Sequence, residues 1–204
     1  HDMHPRGDGI TMCQAVSALA DAEHGDAVIV TDVGQNQMFG ARYSRFNSTR
    51  SFITSGGLGT MGFGLPAAIG AKLGMPGREV VAILGDGGFQ MTIQELGTIK
   101  QEQLGLKIVV LNNSYLGMVR QWQQLFHDRR YSFTPMDNPD FTMIASAYGI
   151  PADRVSDPAE LPGAMRKLAD APGPYFLEVV VRPEENVFPM VPAGESLSNV
   201  MCKE

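Results

Sequence analysis

A chain of 204 residues, 44% hydrophobic and 19% charged, is long enough for one domain with a substantial core. A formal net charge of −6 without a dense basic cluster argues against nucleic acid and anionic membrane as partners. Two distant cysteines, Cys13 and Cys202, make no disulfide framework, and no apolar run is long enough to cross a bilayer. The chain therefore reads as a reduced, cytoplasmic protein.

Residues 1–10 open on His1-Asp2-Met3-His4, show no apolar or helical pattern, and read as a linker or cloning remnant. The domain proper is expected over residues 11–182. A first buried strand, Val28-Ile29-Val30, leads into Thr31-Asp32-Val33-Gly34. A second, Phe52-Ile53-Thr54, leads into a glycine-rich stretch and a glycine- and alanine-rich helix over 62–74. A third, Val80-Val81-Ala82-Ile83-Leu84, ends at Gly85-Asp86. Thr92-Ile93-Gln94-Glu95 predicts a helix cap, and Ile108-Val109-Val110-Leu111 is a strand that ends at Asn112-Asn113. Asn138-Pro139 predicts a helix start, with Phe141, Ile144, Ala145 and Tyr148 on one face and Gly149 as its stop. Asp157-Pro158-Ala159-Glu160 reads as a capping box before Leu161, Ala164, Met165 and Leu168. Phe176-Leu177-Glu178-Val179-Val180-Val181 closes the strand series. Pro183, Pro189 and Pro192 predict an extended arm over residues 183–204 lying across another surface.

Short strands without polar alternation suit a sheet buried on both faces, and their alternation with helices predicts an α/β fold. The expected architecture is a three-layer α/β/α sandwich around a mainly parallel sheet. In such sheets ligands gather at the carboxyl ends of the strands.

Two of those ends carry the clearest chemistry. Gly85-Asp86-Gly87-Gly88-Phe89 follows one strand, and Asn112-Asn113 ends the next, roughly 27 residues after Asp86, the length of one strand–helix–strand unit. A carboxylate and an amide oxygen are hard donors suited to magnesium, which phosphate oxygens and water usually complete. Glycines let backbone N–H groups approach a diphosphate. Taken singly, Asp-Gly and Asn-Asn are ordinary turn sequences; their pairing at this spacing points to a metal–diphosphate site.

GDG, about 25 residues, then NN resembles the signature of thiamine-diphosphate enzymes. TDVGQNQM at 31–38, TSGGLGTMGFGLPAAIGA at 54–71, LNNSYLGMVRQWQ at 111–123 and PMVPAG at 189–194 resemble acetolactate synthase catalytic subunits in particular. The resemblance implies the diphosphate-binding, C-terminal domain fold of that family. It implies magnesium on the side chains of Asp86 and Asn113 and on the backbone carbonyl of Tyr115, and diphosphate contacts from Gly34, Gln35 and Asn36. Gly59 would meet the aminopyrimidine, and Met61 would bend the cofactor into a V shape. Val33, Gly87, Gly88, Leu116, Gly117, Met118 and Val119 would also touch the cofactor. Met118 and Trp122 would line the substrate pocket. Where the family often has histidine and serine, this chain has Asn36 and Gly88.

The implied reaction is decarboxylation of pyruvate and ligation to a second 2-keto acid, giving acetolactate or acetohydroxybutyrate for branched-chain amino acids. No catalytic residue is assigned within the chain. The family's cofactor-activating glutamate belongs to an N-terminal domain of a partner subunit, and Glu23, Glu79, Glu95, Glu102 and Glu160 are poor candidates for it. The resemblance further implies missing N-terminal and middle domains, FAD bound mostly in the latter, a homodimer, and a regulatory small subunit in some members. On this reading the chain is an excised or truncated domain that binds thiamine diphosphate without turnover. Another thiamine-diphosphate decarboxylase, oxidase or carboligase is the nearest alternative, and a non-catalytic binding module is a second. Gly57-Leu58-Gly59-Thr60-Met61-Gly62 is also a formal GxGxxG, with Asp86 about 24 residues beyond it, which leaves an NAD-binding dehydrogenase as a remote rival.

Overall fold

The structure, a computed structural model, describes residues 8–202; His1-Asp2-Met3-His4 and the last two residues of the arm lie outside them. Six strands, β1 (Val28–Thr31), β2 (Phe52–Thr54), β3 (Val80–Gly85), β4 (Lys107–Asn112), β5 (Ala152–Val155) and β6 (Tyr175–Val180), form one sheet in the order β2-β1-β3-β4-β6-β5. Every pairing is parallel. The helices are α1 (Met12–Ala22), α2 (Gln35–Tyr43), α3 (Gly64–Gly74), α4 (Asp86–Met91), α5 (Leu96–Gln101), α6 (Gly117–Phe126), α7 (Phe141–Ala147) and α8 (Leu161–Ala169).

Strand period 2 divides the core into two halves. Val81, Ile83, Val109 and Leu111 pack on one face against Val16 and Leu19 of α1, Phe39 of α2, and Leu161, Met165 and Leu168 of α8. Val80, Ala82, Leu84, Ile108 and Val110 pack on the other against Leu65 and Ile69 of α3, Leu96 and Ile99 of α5, and Phe141 of α7. Burying each such Leu, Ile or Phe contributes about 1.5–3 kcal/mol. These two helix layers around a fully parallel sheet are the expected three-layer α/β/α fold.

Several local expectations are corrected. The helix placed at Asn138-Pro139 starts at Phe141, where Asp140 is the cap and accepts the Met143 N–H at 3.0 Å. The box at 157–160 is a tight turn in which Asp157 accepts the Ala159 N–H at 2.8 Å, and α8 begins only at Leu161 with proline in its first turn. Thr92 caps nothing: its hydroxyl is buried without a partner, and a 3₁₀ turn over Ile93–Glu95 precedes α5. The helix placed at 62–74 starts at Gly64. The helices α1, α2, α4 and α6 and the strand β5 were not anticipated, and two of these are instructive. One is α1, although Thr11 and Gln14 spell its capping box. The other is β5, an edge strand of sequence ADRV whose short, half-polar run gives little signal.

Among the described residues beyond β6 the chain continues without helix or strand across its own domain. Val187 is fully buried, and Gln121 accepts its N–H at 2.8 Å. Arg42 donates to the carbonyls of Phe188 and Pro189 at 2.6 and 2.9 Å. At the other end Ile10 is buried and bridges Val181.

Candidate functional site

From β1 the chain crosses through α2 to β2 on one side, then returns through α3 past β1 to β3 on the other. Helix α2, which follows β1, and helices α4 and α5, which follow β3, lie on opposite faces of the sheet. The loops leaving β1 and β3 therefore diverge and open a crevice at the strand ends, where open α/β sheets bind ligands.

That crevice is a cleft of about 420 Å³. It gathers Val33, Gly34, Gln35 and Asn36 after β1, Met61 from the glycine-rich loop, and Asp86, Gly87 and Gly88 after β3. Asn113, Tyr115, Leu116, Gly117, Met118 and Val119 after β4 complete it. Two expected residues lie outside. Gly59 stands beside Val33 in the loop, with φ +61°. Trp122, 39% exposed, lies one turn beyond Met118 on α6, meets Phe126 in a tilted ring contact, and lines a separate hollow that shares only Val119 with the cleft.

Each wall has a local cause. Gly34 enters α2 at φ +127°, a conformation that L side chains rarely adopt. A Cβ on Gly117 would stand 2.2 Å from Gln35 Oε1 and 2.7 Å from Asn113 Nδ2, so only glycine lets α6 start so close to the strand ends. Asn112 accepts the Ser114 N–H at 3.0 Å and Asn113 the Tyr115 N–H at 3.1 Å. The turn chemistry of Asn-Asn is thus present, and it holds both amides in place.

The glycine-rich loop is held by Asp32, which is almost fully buried. Its carboxylate accepts the N–H groups of Val33, Gly62 and Gly64 at 2.7, 3.1 and 2.8 Å. Of those donors Gly62 belongs to the GxGxxG run and is not available to a dinucleotide, which counts against the NAD reading. A Cβ on Gly88 would meet Asp32 Oδ1 at 2.4 Å, so serine there would require Asp32 to shift.

Asp86, also buried, accepts the Gly87 N–H at 2.9 Å and an Asn138 amide proton at 2.8 Å. Burial pushes its carboxyl up to about 6, and those two hydrogen bonds only partly oppose the shift. A cation beside it would reverse the balance. The residues fit a magnesium–diphosphate group. Hard oxygens come from adjacent strand ends, Asn36 Oδ1 is buried without a partner, and the N-termini of α2 and α6 open on the cleft with their anion-binding N–H groups.

Residues that the sequence reading did not single out also matter here. Met12 and Leu111 line the cleft. Gln121 accepts from Gln35 at 3.0 Å, and the Glu185 carbonyl accepts from it at 2.6 Å. Asp32 carried a signal, since it is the first polar residue after a buried strand. Asn138 carried only a misleading one, as a helix cap.

The architecture and cleft together define a cofactor-binding α/β domain of the thiamine-diphosphate class. Residues 32–179 match the family model for the thiamine pyrophosphate enzyme, C-terminal TPP binding domain, and the chain belongs to that family. Among relatives it is 50% identical over 201 residues to the acetolactate synthase isozyme 2 large subunit of Escherichia coli (strain K12), covering 98% of this chain and 36% of that protein. It is 45% identical to acetolactate synthase 1, chloroplastic, of Nicotiana tabacum, over 97% of this chain and 31% of that one. It is 44% identical to the acetolactate synthase large subunit of Lactococcus lactis subsp. lactis (strain IL1403), over 95% and 32%. The chain thus spans about a third of the length of these relatives. In fold it is similar to the thiamine diphosphate-dependent 4-hydroxybenzoylformate decarboxylase of Rhodococcus jostii RHA1, with a TM-score of 0.81 at 24% identity over 90% of this chain and 34% of that one. Among the described residues no helix is long and apolar enough to cross a membrane.

Proposed function

We propose that this chain is the cofactor-binding domain of a cytoplasmic acetolactate synthase catalytic subunit, which decarboxylates pyruvate and joins the product to a second 2-keto acid for branched-chain amino acids. The observation that carries the metal–diphosphate reading is the convergence of Asp86 and Asn113, from the ends of adjacent parallel strands, on a cleft rimmed by two helix N-termini. Similarity to acetolactate synthase subunits supports the particular enzyme.

Asp86, Asn113 and the Tyr115 carbonyl would hold magnesium, and Gly34, Gln35 and Asn36 the diphosphate. The thiamine ring, when bound, supplies the electron sink for decarboxylation. Met61 and Leu116, whose side chains stand close to Gly87, would give the middle of the cleft an apolar wall against water. Met118 lines the same cleft, while Trp122, one turn further along the same face of α6, lines the outer hollow. Trp122 would meet the second keto acid only where another part of the enzyme closes the outer hollow.

No glutamate lines the cleft among the described residues. The group that activates the cofactor would therefore come from the N-terminal domain of a partner subunit in a homodimer. The middle domain would hold most of an FAD, and a regulatory small subunit is a further expected partner. Exposed Leu58 and Phe133, 93% and 97% accessible at the loops near the strand ends, support such a cover.

Calorimetric titration with thiamine diphosphate, with and without magnesium and with NAD as control, tests the reading. Magnesium-dependent heat that vanishes in Asp86→Ala is expected, without pyruvate turnover by the 204-residue chain. Binding of NAD in its place would refute the assignment.

A further inference from the structure

We propose that Asn138 is a positioning residue that fixes the Asp86 carboxylate for its cation; this rests on the metal–diphosphate reading above. Its amide nitrogen donates to Asp86 Oδ2 at 2.8 Å and to Asn112 Oδ1 at 2.9 Å, and its oxygen accepts from Gln90 Nε2 at 2.9 Å. Two oxygen acceptors on one side and an N–H donor on the other leave only one orientation of the amide. One side chain thus ties the end of β3, the end of β4 and α4 together.

The consequence for Asp86 is geometric. One carboxylate oxygen is held by the Gly87 N–H and the other by Asn138. An ionised carboxylate offers about four lone-pair directions, so these two donors leave room for a cation in a fixed plane. The donor is neutral, so it orients the carboxylate without cancelling its charge. Because its nitrogen faces Asp86 and its oxygen faces Gln90, Asn138 is itself no ligand.

The network continues outward. Asn112 donates to buried Glu178 at 2.7 Å, Glu178 accepts from Arg154 Nε at 2.7 Å, and Arg154 reaches Asp140, the cap of α7, at 3.2 Å. Asn138 is brought to the strand ends by the loop before α7, where Leu116 donates to Thr134 O at 2.9 Å and Met136 to Ser114 O at 2.8 Å. Partners that orient metal ligands in this way typically alter metal affinity when removed.

The test is made in the full-length subunit that carries this domain. Asn138→Leu keeps the branched shape and removes both donors. Magnesium affinity is read by titration at fixed thiamine diphosphate, with manganese and its electron spin resonance signal as a second probe. The expected result is metal affinity weakened roughly 10- to 100-fold, with activity and cofactor binding restored at saturating magnesium. Unchanged metal affinity, or a loss that excess magnesium does not relieve, overturns the proposal. If Asn138→Leu does not fold, Gln90→Leu decides, because it frees the amide to swing: several-fold weakening supports the role and wild-type affinity refutes it. Asp86→Ala separates the two readings. Loss of magnesium-dependent binding there, with wild-type behaviour in Asn138→Leu, sinks the positioning role alone. Absence of magnesium-dependent binding in the wild type sinks both.

Discussion

The two ends of the parallel sheet both bury carboxylates, and they treat them differently. At the C-terminal end, Asp32 accepts three backbone N–H groups and Asp86 accepts one backbone and one amide proton. At the N-terminal end, Glu23 after α1 and Glu79 before β3 each leave a buried oxygen without a partner. Lys107, at the start of β4, is buried near them but donates to the carbonyls of Ala171 and Gly173. Burial, and then the charge of Glu79, push Glu23 up to about 7 against the pull of Lys107. Burial therefore raises both Glu23 and Asp86, and only at Asp86 do fixed donors also aim the oxygens. What makes the C-terminal end a site is this orientation, in addition to desolvation.

The largest effect is expected on binding. Asp86→Ala should weaken magnesium-dependent thiamine-diphosphate binding by more than the roughly 100-fold typical of a supporting residue, whereas Glu23→Gln should leave it unchanged. Calorimetry on the two variants compares the ends of the sheet directly, and equal losses would erase the distinction. Next comes stability. Asp32→Ala leaves three N–H groups without their acceptor and should cost about 2–5 kcal/mol in urea unfolding. A cost below 1 kcal/mol would mean that the glycine loop is held by something else.

The N-terminal end should show itself through pH. Glu23 titrates higher when folded than its ordinary 4.5, so the folded state binds the extra proton. Its contribution is complete below about 4.5 and is lost as pH rises through about 7. Glu23→Gln should flatten that decline, by about 1 kcal/mol after allowance for solvent screening; thermal midpoints at pH 5 and pH 8 would show it. The smallest effect belongs to the surface. Arg45 and Asp21 pair with both side chains 62% exposed, so Asp21→Ala should change stability by less than about 0.5 kcal/mol.

Much of the strand layout was legible because buried strands are written in contiguous residues. Val80-Val81-Ala82-Ile83-Leu84 has few other readings. β5 was not legible, because an edge strand needs no apolar run. Of the site, the residues expected at the ends of β1, β3 and β4 do line the cleft, since a strand end is a local feature. Asn138 and Gln121 were missed because their partners lie 52 and 86 residues away. Trp122 was grouped with Met118 by motif alone; one turn apart on the same face of α6, the two line different hollows, and only Met118 reaches the cleft.

By itself the sequence determined the α/β layers, the fully buried strands, and which strand ends carry hard oxygen donors and glycines. All of these depend on short-range pattern: side-chain period, turn chemistry and the absence of a Cβ. Only the tertiary structure decided that Asp32 holds the glycine loop, that Asn138 serves Asp86 and not a helix, and that the arm closes over its own domain. Each of those is a pairing of a buried polar group with a donor or acceptor far along the chain, and no local pattern encodes which distant partner will satisfy it.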